Sequence, residues 1–388
     1  MGALSRPYLR LYVLTLFYFG ANAILNVILP LKAESLGADN ATIGIVMGAY
    51  LFTTMFVRPW AGAIIDRYGP SLVLSTVLFV HGFALILYAY SGVEGYLVAR
   101  MLQGACTAFF SMSLQIGIID ALPDKERSQG ISLYSLCAYI PGIVGPLIAI
   151  GIWQSEAPHG FSLVMIVLAA VTGGAGYRAA RAVHGSGRAR GASPPREATG
   201  NVFATFVRNR RALRCGALMA TASVAFGAIA AFVPLYAAEV EGGQAGIYLM
   251  LQAGVVVAAR FALRKRIPSD GVWRSRFAAG MMLAAAAAAL LVGLSAHGGA
   301  LPFYAGAMLA GVSQALLYPA LTTYLSFALP RENRNALLGL FIATADMGVS
   351  LGAIAMGPLA DALSYSTMYM ICGWLCGAGA WFAYRSRG

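Results

Sequence analysis

Charged residues are scarce in this chain of 388 residues, in which Asp, Glu, Lys and Arg together make up 11%. An average soluble domain has roughly 25% charged residues and uses them to cover its surface. The hydrophobic fraction is 59% and the mean hydropathy is +0.72, which also excludes an intrinsically disordered chain. These values predict an all-α integral membrane protein.

Cysteine and histidine are scarce as well. The five cysteines lie in or beside apolar runs, which excludes an extracellular disulfide framework. Cys372 and Cys376 are one helical turn apart, but their run contains no His or carboxylate that would complete a metal site. The polar connections contain no phosphate-binding loop, nucleophile motif or His cluster. We therefore expect no metal, no cofactor and no enzymatic activity.

Apolar runs long enough to cross a bilayer, about 20 residues each, recur along the whole chain. Twelve such runs lie between charged, Pro or Gly breaks. The predicted spans are 8–30, 43–65, 71–91, 94–120, 130–153, 160–180, 213–237, 245–266, 276–296, 301–328, 336–358 and 364–384.

The basic residues indicate the orientation of these spans. The net charge of +12 would suggest nucleic-acid binding in a soluble protein, but here the basic residues cluster in the short connections. With a cytoplasmic N-terminus, alternate connections hold all Lys and Arg residues except Lys32 and Arg100. We expect a multi-pass cell-membrane protein with both termini in the cytoplasm and no nucleic-acid partner.

The two halves of the chain resemble each other. Arg100-Met-Leu-Gln-Gly104 aligns with Ala307-Met-Leu-Ala-Gly311 at an offset of 207 residues, and Pro30-Leu31 recurs as Pro234-Leu235. The longest polar connection, 181–212, is basic and rich in Gly, Ser and Pro. We predict two pseudo-symmetric six-helix bundles, 1–180 and 213–388, joined by this cytoplasmic linker around a central cavity.

The connection after the second span contains Gly62-Ala-Ile-Ile-Asp66-Arg67-Tyr68-Gly69. It resembles the cytoplasmic loop signature of the major facilitator superfamily, although Pro70-Ser71 replace the usual basic pair. Span five contains Pro141-Gly142-Ile-Val-Gly145-Pro146, which is similar to a shortened antiporter signature of drug/proton exporters. The resemblance implies gating roles for Gly62, Asp66, Arg67, Gly69, Gly142, Gly145 and Pro146.

The first half carries a finer resemblance. The segments Asn22–Pro30, Phe56–Trp60 and Gln115–Pro123 are similar to bacterial exporters of opine-type metallophores, of the staphylopine kind. Such metallophores are nicotianamine-like, zwitterionic metal chelators with several carboxylates. The resemblance implies efflux of a metallophore for metal homeostasis by alternating access, with protons as the coupling ion, in a monomer within the lipid bilayer.

Polar side chains within the spans are the candidate binding residues. Arg100 lies in span four, and a charge there is normally tied to a pathway or a partner; the alternative is a structural clamp. Asn22 and Asn26 share one face of span one because they are four residues apart. The full predicted substrate set is Arg100, Asn22, Asn26, Gln103, Tyr134, Tyr139, Gln252, Gln314 and Tyr318.

Asp346, near the middle of span eleven, is the candidate for proton coupling. Burial penalises the charged form of a carboxyl group, so Asp346 is suited to carry a proton. Helix pairing and binding of a substrate ammonium are the alternatives. His81 in span three is interpreted as a hydrogen-bonded packing residue in preference to a proton carrier.

Two transport hypotheses follow from the sequence. The first is a secondary exporter of an opine-type metallophore, driven by proton antiport. The alternative is a broad-specificity multidrug/proton antiporter whose pocket is aromatic and apolar and accepts drugs. A membrane enzyme or a non-transporting receptor is the third possibility, and the missing catalytic motifs disfavour it.

Overall fold

A computed structural model describes residues 5–121, 124–155, 159–175, 202–263, 266–268, 271–330 and 334–386. The regular structure of these residues is helical. The helices are α1 (Arg6–Ser35), α2 (Asn40–Tyr68), α3 (Pro70–Tyr90), α4 (Val93–Ala121), α5 (Asp124–Gln154), α6 (Gly160–Ala170), α7 (Val202–Arg208), α8 (Arg210–Tyr236), α9 (Ala245–Ala262), α10 (Ser275–Gly298), α11 (Ala300–Ala328), α12 (Arg334–Ile354), α13 (Met356–Ala362) and α14 (Tyr365–Arg385).

Within the described residues, 10 helical segments are long and apolar enough to cross a membrane. They are α1 to α5, α8 to α11, and α12 together with α13. The sixth predicted span corresponds to α6, an apolar helix that continues to Gly174 through a π-helical turn. The twelfth corresponds to α14, whose 21 residues measure about 32 Å at about 1.5 Å per residue. The predicted twelve-helix membrane fold is confirmed.

The chain divides into two compact units. The first comprises Met1–Leu36 and Ala49–Arg196, and the second comprises Gly37–Gly48 and Glu197–Gly388. Helix α2 therefore begins in the second unit and continues in the first. Most of the predicted linker 181–212 lies outside the described residues, which resume at 202. The bundle boundaries 1–180 and 213–388 stay predictions.

The same pairs of helices pack in both units. In the first unit α1 packs on α5, and α3 packs on α4 and α6. In the second unit α8 packs on α12, and α10 packs on α11 and α14. Each helix of the second unit stands six spans after its counterpart in the first. The two bundles are thus pseudo-symmetric, as the sequence repeat predicted.

Glycines allow corresponding helices to approach closely. A Cβ atom at Gly104 on α4 would clash with the carbonyl oxygen of Tyr50 on α2. At the matching position of the second unit, a Cβ on Gly311 would lie 2.7 Å from the carbonyl oxygen of Gln252. Such contacts exclude any larger residue. The repeat in sequence is therefore also a repeat in packing.

Two carboxylates satisfy the first backbone N–H groups of α2, which lie in the second unit. The carboxylate of Asp361 accepts from the backbone N–H of Asn40 at 3.0 Å and from that of Ala41 at 2.9 Å. Asp39 Oδ1 accepts from the N–H of Thr42 at 2.8 Å. The free N–H groups at a helix start favour such acceptors, and the helix dipole favours their negative charge.

Candidate functional site

The buried guanidinium of Arg100 is the centre of a polar cluster in the first unit. Its side chain is 0% exposed. Nη1 donates to Asn22 Oδ1 at 3.1 Å and to Gln103 Oε1 at 3.3 Å, and Nη2 donates to Asn26 Oδ1 at 3.0 Å. Asn22 and Asn26 thus share one face of α1, as expected from their spacing, and both side chains contact Arg100. Three neutral amide oxygens replace part of the solvation that the charge would have in water.

Gln103 connects the guanidinium to Tyr88 on α3. Its Oε1 also accepts a hydrogen bond from the Tyr88 hydroxyl at 3.1 Å. Two donors converge on this oxygen, which fixes the orientation of the amide group. The Nε2 of Gln103 is buried and has no hydrogen-bond partner among the described residues. The cluster therefore holds an unsatisfied donor next to a fixed positive charge.

An aromatic ring forms one side of the cluster. The Arg100 guanidinium carbon lies 5.5 Å from the centre of the Tyr50 ring, within the range of a cation–π interaction. Tyr50 is itself almost fully buried. Asn22 and Asn26 are half-buried, so they are the more accessible members of the group. The geometry suits a site that recognises an anion, since guanidinium binds carboxylates through two parallel hydrogen bonds.

The predicted residues of the second unit make contacts of their own. Gln252 Nε2 on α9 donates to Gln314 Oε1 on α11 at 3.3 Å. The Tyr318 ring stacks on Phe341 with 6.0 Å between ring centres. Asp346 is half-buried on α12, and its backbone carbonyl accepts from Ser350 Oγ at 2.9 Å. A shared cavity of these residues with Arg100 stays a prediction.

The two predicted tyrosines of α5 lie elsewhere in the first unit. Tyr134 is buried in an apolar cluster that includes Tyr18 and Phe110. Tyr139 is 39% exposed. The hydrogen bonds described for Arg100 involve neither of them, and their role in substrate binding stays a prediction. His81 is fully buried and stacks on Tyr18 at 4.1 Å between ring centres, which agrees with a packing role. Neither of its ring nitrogens has a hydrogen-bond partner among the described residues, so the expected hydrogen bonding is not found.

Some residues of the gating motifs lie at helix ends, and others lie where two helices approach closely. Gly69 has φ +83°, a left-handed conformation that lets the chain turn from α2 into α3. Arg67 is exposed and lies over the Tyr68 ring. A Cβ at Gly145 would lie 2.6 Å from the Cβ of Ala23, so α5 approaches α1 closely there.

Four residues of the gating motifs remain: Gly62, Asp66, Gly142 and Pro146. A Cβ at Gly62 would meet Met112 Sδ at an ordinary 3.5 Å. Gly142 and Pro146 lie within α5. The side chain of Asp66 is outside the described part of the chain. The gating roles of all these residues stay predictions.

Thr107 also belongs to the cluster, since its hydroxyl donates to the Gln103 carbonyl at 3.0 Å. Three residues of the cluster were not among those predicted from the sequence: Tyr50, Tyr88 and Thr107. A signal existed for Thr107, because Arg100, Gln103 and Thr107 are spaced i, i+3 and i+7 and so share one face of α4. No comparable signal identifies Tyr50 or Tyr88 among the 19 tyrosines of the chain.

Metal ligands are not grouped in the described ranges. No set of three His, Cys, Asp or Glu side chains there could hold a metal ion. The five cysteines are free, and Cys372 and Cys376 are buried.

Two related bundles of membrane-length helices, one with a buried charge among amide groups, define a membrane transporter. Comparison with protein families gives the class directly. The family model of the Major Facilitator Superfamily matches residues 11–301. The chain belongs to the Major Facilitator Superfamily.

Known proteins of this family resemble the chain to different degrees. The staphylopine export protein of Staphylococcus aureus (strain Mu50 / ATCC 700699) is 50% identical over 374 residues, 96% of this chain and 94% of that protein. A bacterial homologue of the human lysosomal transporter Spinster, crystallised inward-facing and occupied, superposes with a TM-score of 0.71 at 15% identity, over 99% of this chain and 98% of that one.

A transporter of the POT family, solved with a thioalcohol-conjugated peptide, has a TM-score of 0.74 at 12% identity. That alignment covers 96% of this chain and 94% of the other. At such low identity the structural likenesses show the fold alone.

Proposed function

We propose that this protein exports an opine-type metallophore of the staphylopine kind from the cytoplasm by alternating access, coupled to proton antiport. The observation that carries the proposal is the 50% identity to a staphylopine export protein, which extends over 96% of this chain. Both termini lie in the cytoplasm in this proposal, and the working unit is a monomer.

The Arg100 cluster supports a carboxylate-bearing substrate. A guanidinium–carboxylate pair is charged on both sides and forms two parallel hydrogen bonds, which a neutral amide oxygen cannot match. The amide oxygens of Asn22 and Asn26 occupy the two ends of the guanidinium fork, where the oxygens of a carboxylate would bind. A substrate carboxylate displaces these amide oxygens, and the unsatisfied Nε2 of Gln103 is a further donor beside it.

Asp346 takes the proton in this scheme. It lies on α12, in the second unit, while the carboxylate site lies in the first. Protonation of Asp346 removes a charge whose burial in the membrane is costly. In antiport the proton and the substrate cross in opposite directions. The carrier turns outward with the substrate carboxylate on Arg100 and without the coupling proton, and it returns inward with Asp346 protonated and the substrate released.

The test is transport of purified staphylopine into inverted membrane vesicles, with and without a proton gradient. Uptake that depends on the gradient supports the proposal. Arg100→Lys keeps the charge but loses the planar fork, so uptake falls at least about tenfold. Arg276→Lys, at an exposed position on α10, is the matched control and leaves uptake unchanged.

The same vesicles distinguish the multidrug alternative. Uptake of a cationic dye with no uptake of staphylopine would replace metallophore export by drug export. Asp346→Asn retains staphylopine binding and loses the dependence of uptake on the proton gradient. Unchanged gradient dependence in that variant would remove Asp346 from the coupling scheme and leave the substrate assignment intact.

A further inference from the structure

A single hydroxyl group, that of Thr107, joins three helices beside the Arg100 cluster. The Tyr50 hydroxyl on α2 donates to Thr107 Oγ1 at 3.0 Å. The Tyr18 hydroxyl on α1 lies 3.0 Å from the same oxygen. Thr107 Oγ1 in turn donates to the backbone carbonyl of Gln103 at 3.0 Å. All four residues are in the first unit.

The valence of the hydroxyl fixes the direction of these bonds. A threonine hydroxyl has one proton and two lone pairs. Its proton goes to the Gln103 carbonyl, so both tyrosines donate and Thr107 accepts twice. The hydrogen-bonding capacity of Thr107 is then fully used at a position that is 7% exposed. Another side chain can take its place only if it offers two lone pairs at the same point.

Tyr50 connects the Thr107 hydroxyl to the guanidinium of Arg100. Its ring lies 5.5 Å from the Arg100 guanidinium carbon, and its hydroxyl is held by Thr107. The Tyr50 ring is thus held at its hydroxyl end by Thr107, with its face toward Arg100.

We propose that Thr107 is a positioning residue for substrate recognition: it fixes the Tyr50 ring against Arg100 so that the guanidinium fork stays aimed at Asn22 and Asn26. The inference rests on the proposed function, in which a substrate carboxylate binds this fork. Thr107 itself does not touch the substrate. Its loss weakens carboxylate binding and leaves the conformational cycle intact.

The test compares Thr107→Val and Thr107→Ser in the vesicle assay with staphylopine. Valine keeps the shape of threonine and removes the hydroxyl, so the KM for staphylopine rises between about threefold and about thirtyfold, the range of one cation–π interaction. The maximal rate per folded transporter stays within about twofold. Serine restores the hydroxyl and returns KM to the wild-type value.

Two further variants separate positioning from packing. Tyr50→Phe keeps the ring and loses the hydroxyl, so its KM rises as in Thr107→Val, and the double variant is no worse than either single one. Thr15→Val is the matched control, since Thr15 is 0% exposed and its hydroxyl bonds only the Leu11 carbonyl of its own helix in the described structure. Its KM does not change.

The outcomes distinguish this inference from the proposed function. An unchanged KM in Thr107→Val and Tyr50→Phe, with a raised KM in Arg100→Lys, would overturn the inference and leave the carboxylate site standing. An unchanged KM in Arg100→Lys would overturn both. Equal losses of folded protein in Thr107→Val and Thr15→Val, with unchanged KM, would show that Thr107 serves packing alone and would also overturn the inference.

Discussion

In the first unit α4 approaches α2 at Gly104, and in the second unit α11 approaches α9 at Gly311, 207 positions later in the chain. At the same offset, the fully buried Arg100 corresponds to Ala307, which is also 0% exposed. Gln103 corresponds to Ala310. One packing scheme therefore supports a charged cluster in one unit and an apolar core in the other.

The positions that correspond to the amide partners of Arg100 are also apolar in the second unit. At the offset of 204 that aligns Pro30 with Pro234, Asn22 and Asn26 correspond to Phe226 and Ala230. The second unit thus lacks both the charge and these amide oxygens at the matching places. Helix approach was duplicated, while the buried charge and its amide partners belong to one copy.

The largest expected effect comes from placing the charge in the wrong unit. Ala307→Arg buries a guanidinium in the unit where Phe226 and Ala230 stand at the places of Asn22 and Asn26, and costs about 3 kcal/mol or more. We expect little folded protein, measured as the monodisperse fraction after detergent extraction. Ala307→Met adds a long uncharged side chain, so we expect a smaller loss of folded protein. Equal yields of the two variants would contradict the comparison.

Adding one methyl group at each close approach tests whether the packing is truly repeated. Gly104→Ala and Gly311→Ala each force the helices apart and cost about 1–3 kcal/mol. Both lower the melting temperature in detergent by similar amounts. The control is Gly280→Ala on α10, where a Cβ would meet nothing within 4 Å. A lower melting temperature in only one of the two variants would show that the units pack differently.

The amide pair of the second unit gives a smaller effect. Gln314→Leu removes the acceptor of Gln252, whose side chain is 8% exposed, and costs about 1 kcal/mol. The melting temperature falls slightly. If the pair also binds substrate, the KM for staphylopine rises as well. A changed KM with an unchanged melting temperature would assign the pair to the substrate site alone.

The smallest expected effect concerns the start of α2. The side chain and the backbone N–H of Thr42 both donate to the Asp39 carboxylate and hold its pKa below the usual 3.8. A lowered pKa in the folded state stabilises the protein above the unfolded value, and this stabilisation is lost as pH falls through the folded value. The equivalent helix α9 begins after Gln244, without a side-chain cap.

Asp39→Asn tests this difference. The variant melts slightly below the wild type at about pH 6, and the gap closes toward about pH 3. Because Asp39 is fully exposed, added salt reduces the gap. A gap that is independent of pH would show that hydrogen bonding, and not charge, caps α2.

The sequence predicted the helices and part of the site for clear physical reasons. Long apolar runs are strong signals for spans, and the i, i+4 spacing of Asn22 and Asn26 correctly indicated one shared face. Tyr50 and Tyr88 were not foreseen, because ring orientation depends on the packing of neighbouring helices. Tyr134 is buried in an apolar cluster, and its role in substrate binding stays a prediction, because a tyrosine in an apolar span fits either role.

The amide oxygens around Arg100 also restrict the order in which substitutions can accumulate during evolution. An arginine that arises first in an apolar span destabilises the fold, whereas asparagine and glutamine in the same spans are tolerated at lower cost. The less destabilising order of substitutions is therefore the amides before the charge, and in reverse the charge is lost before the amides. The second bundle, with Phe226, Ala230 and Ala310 in those places, is several substitutions away from a charged site of its own.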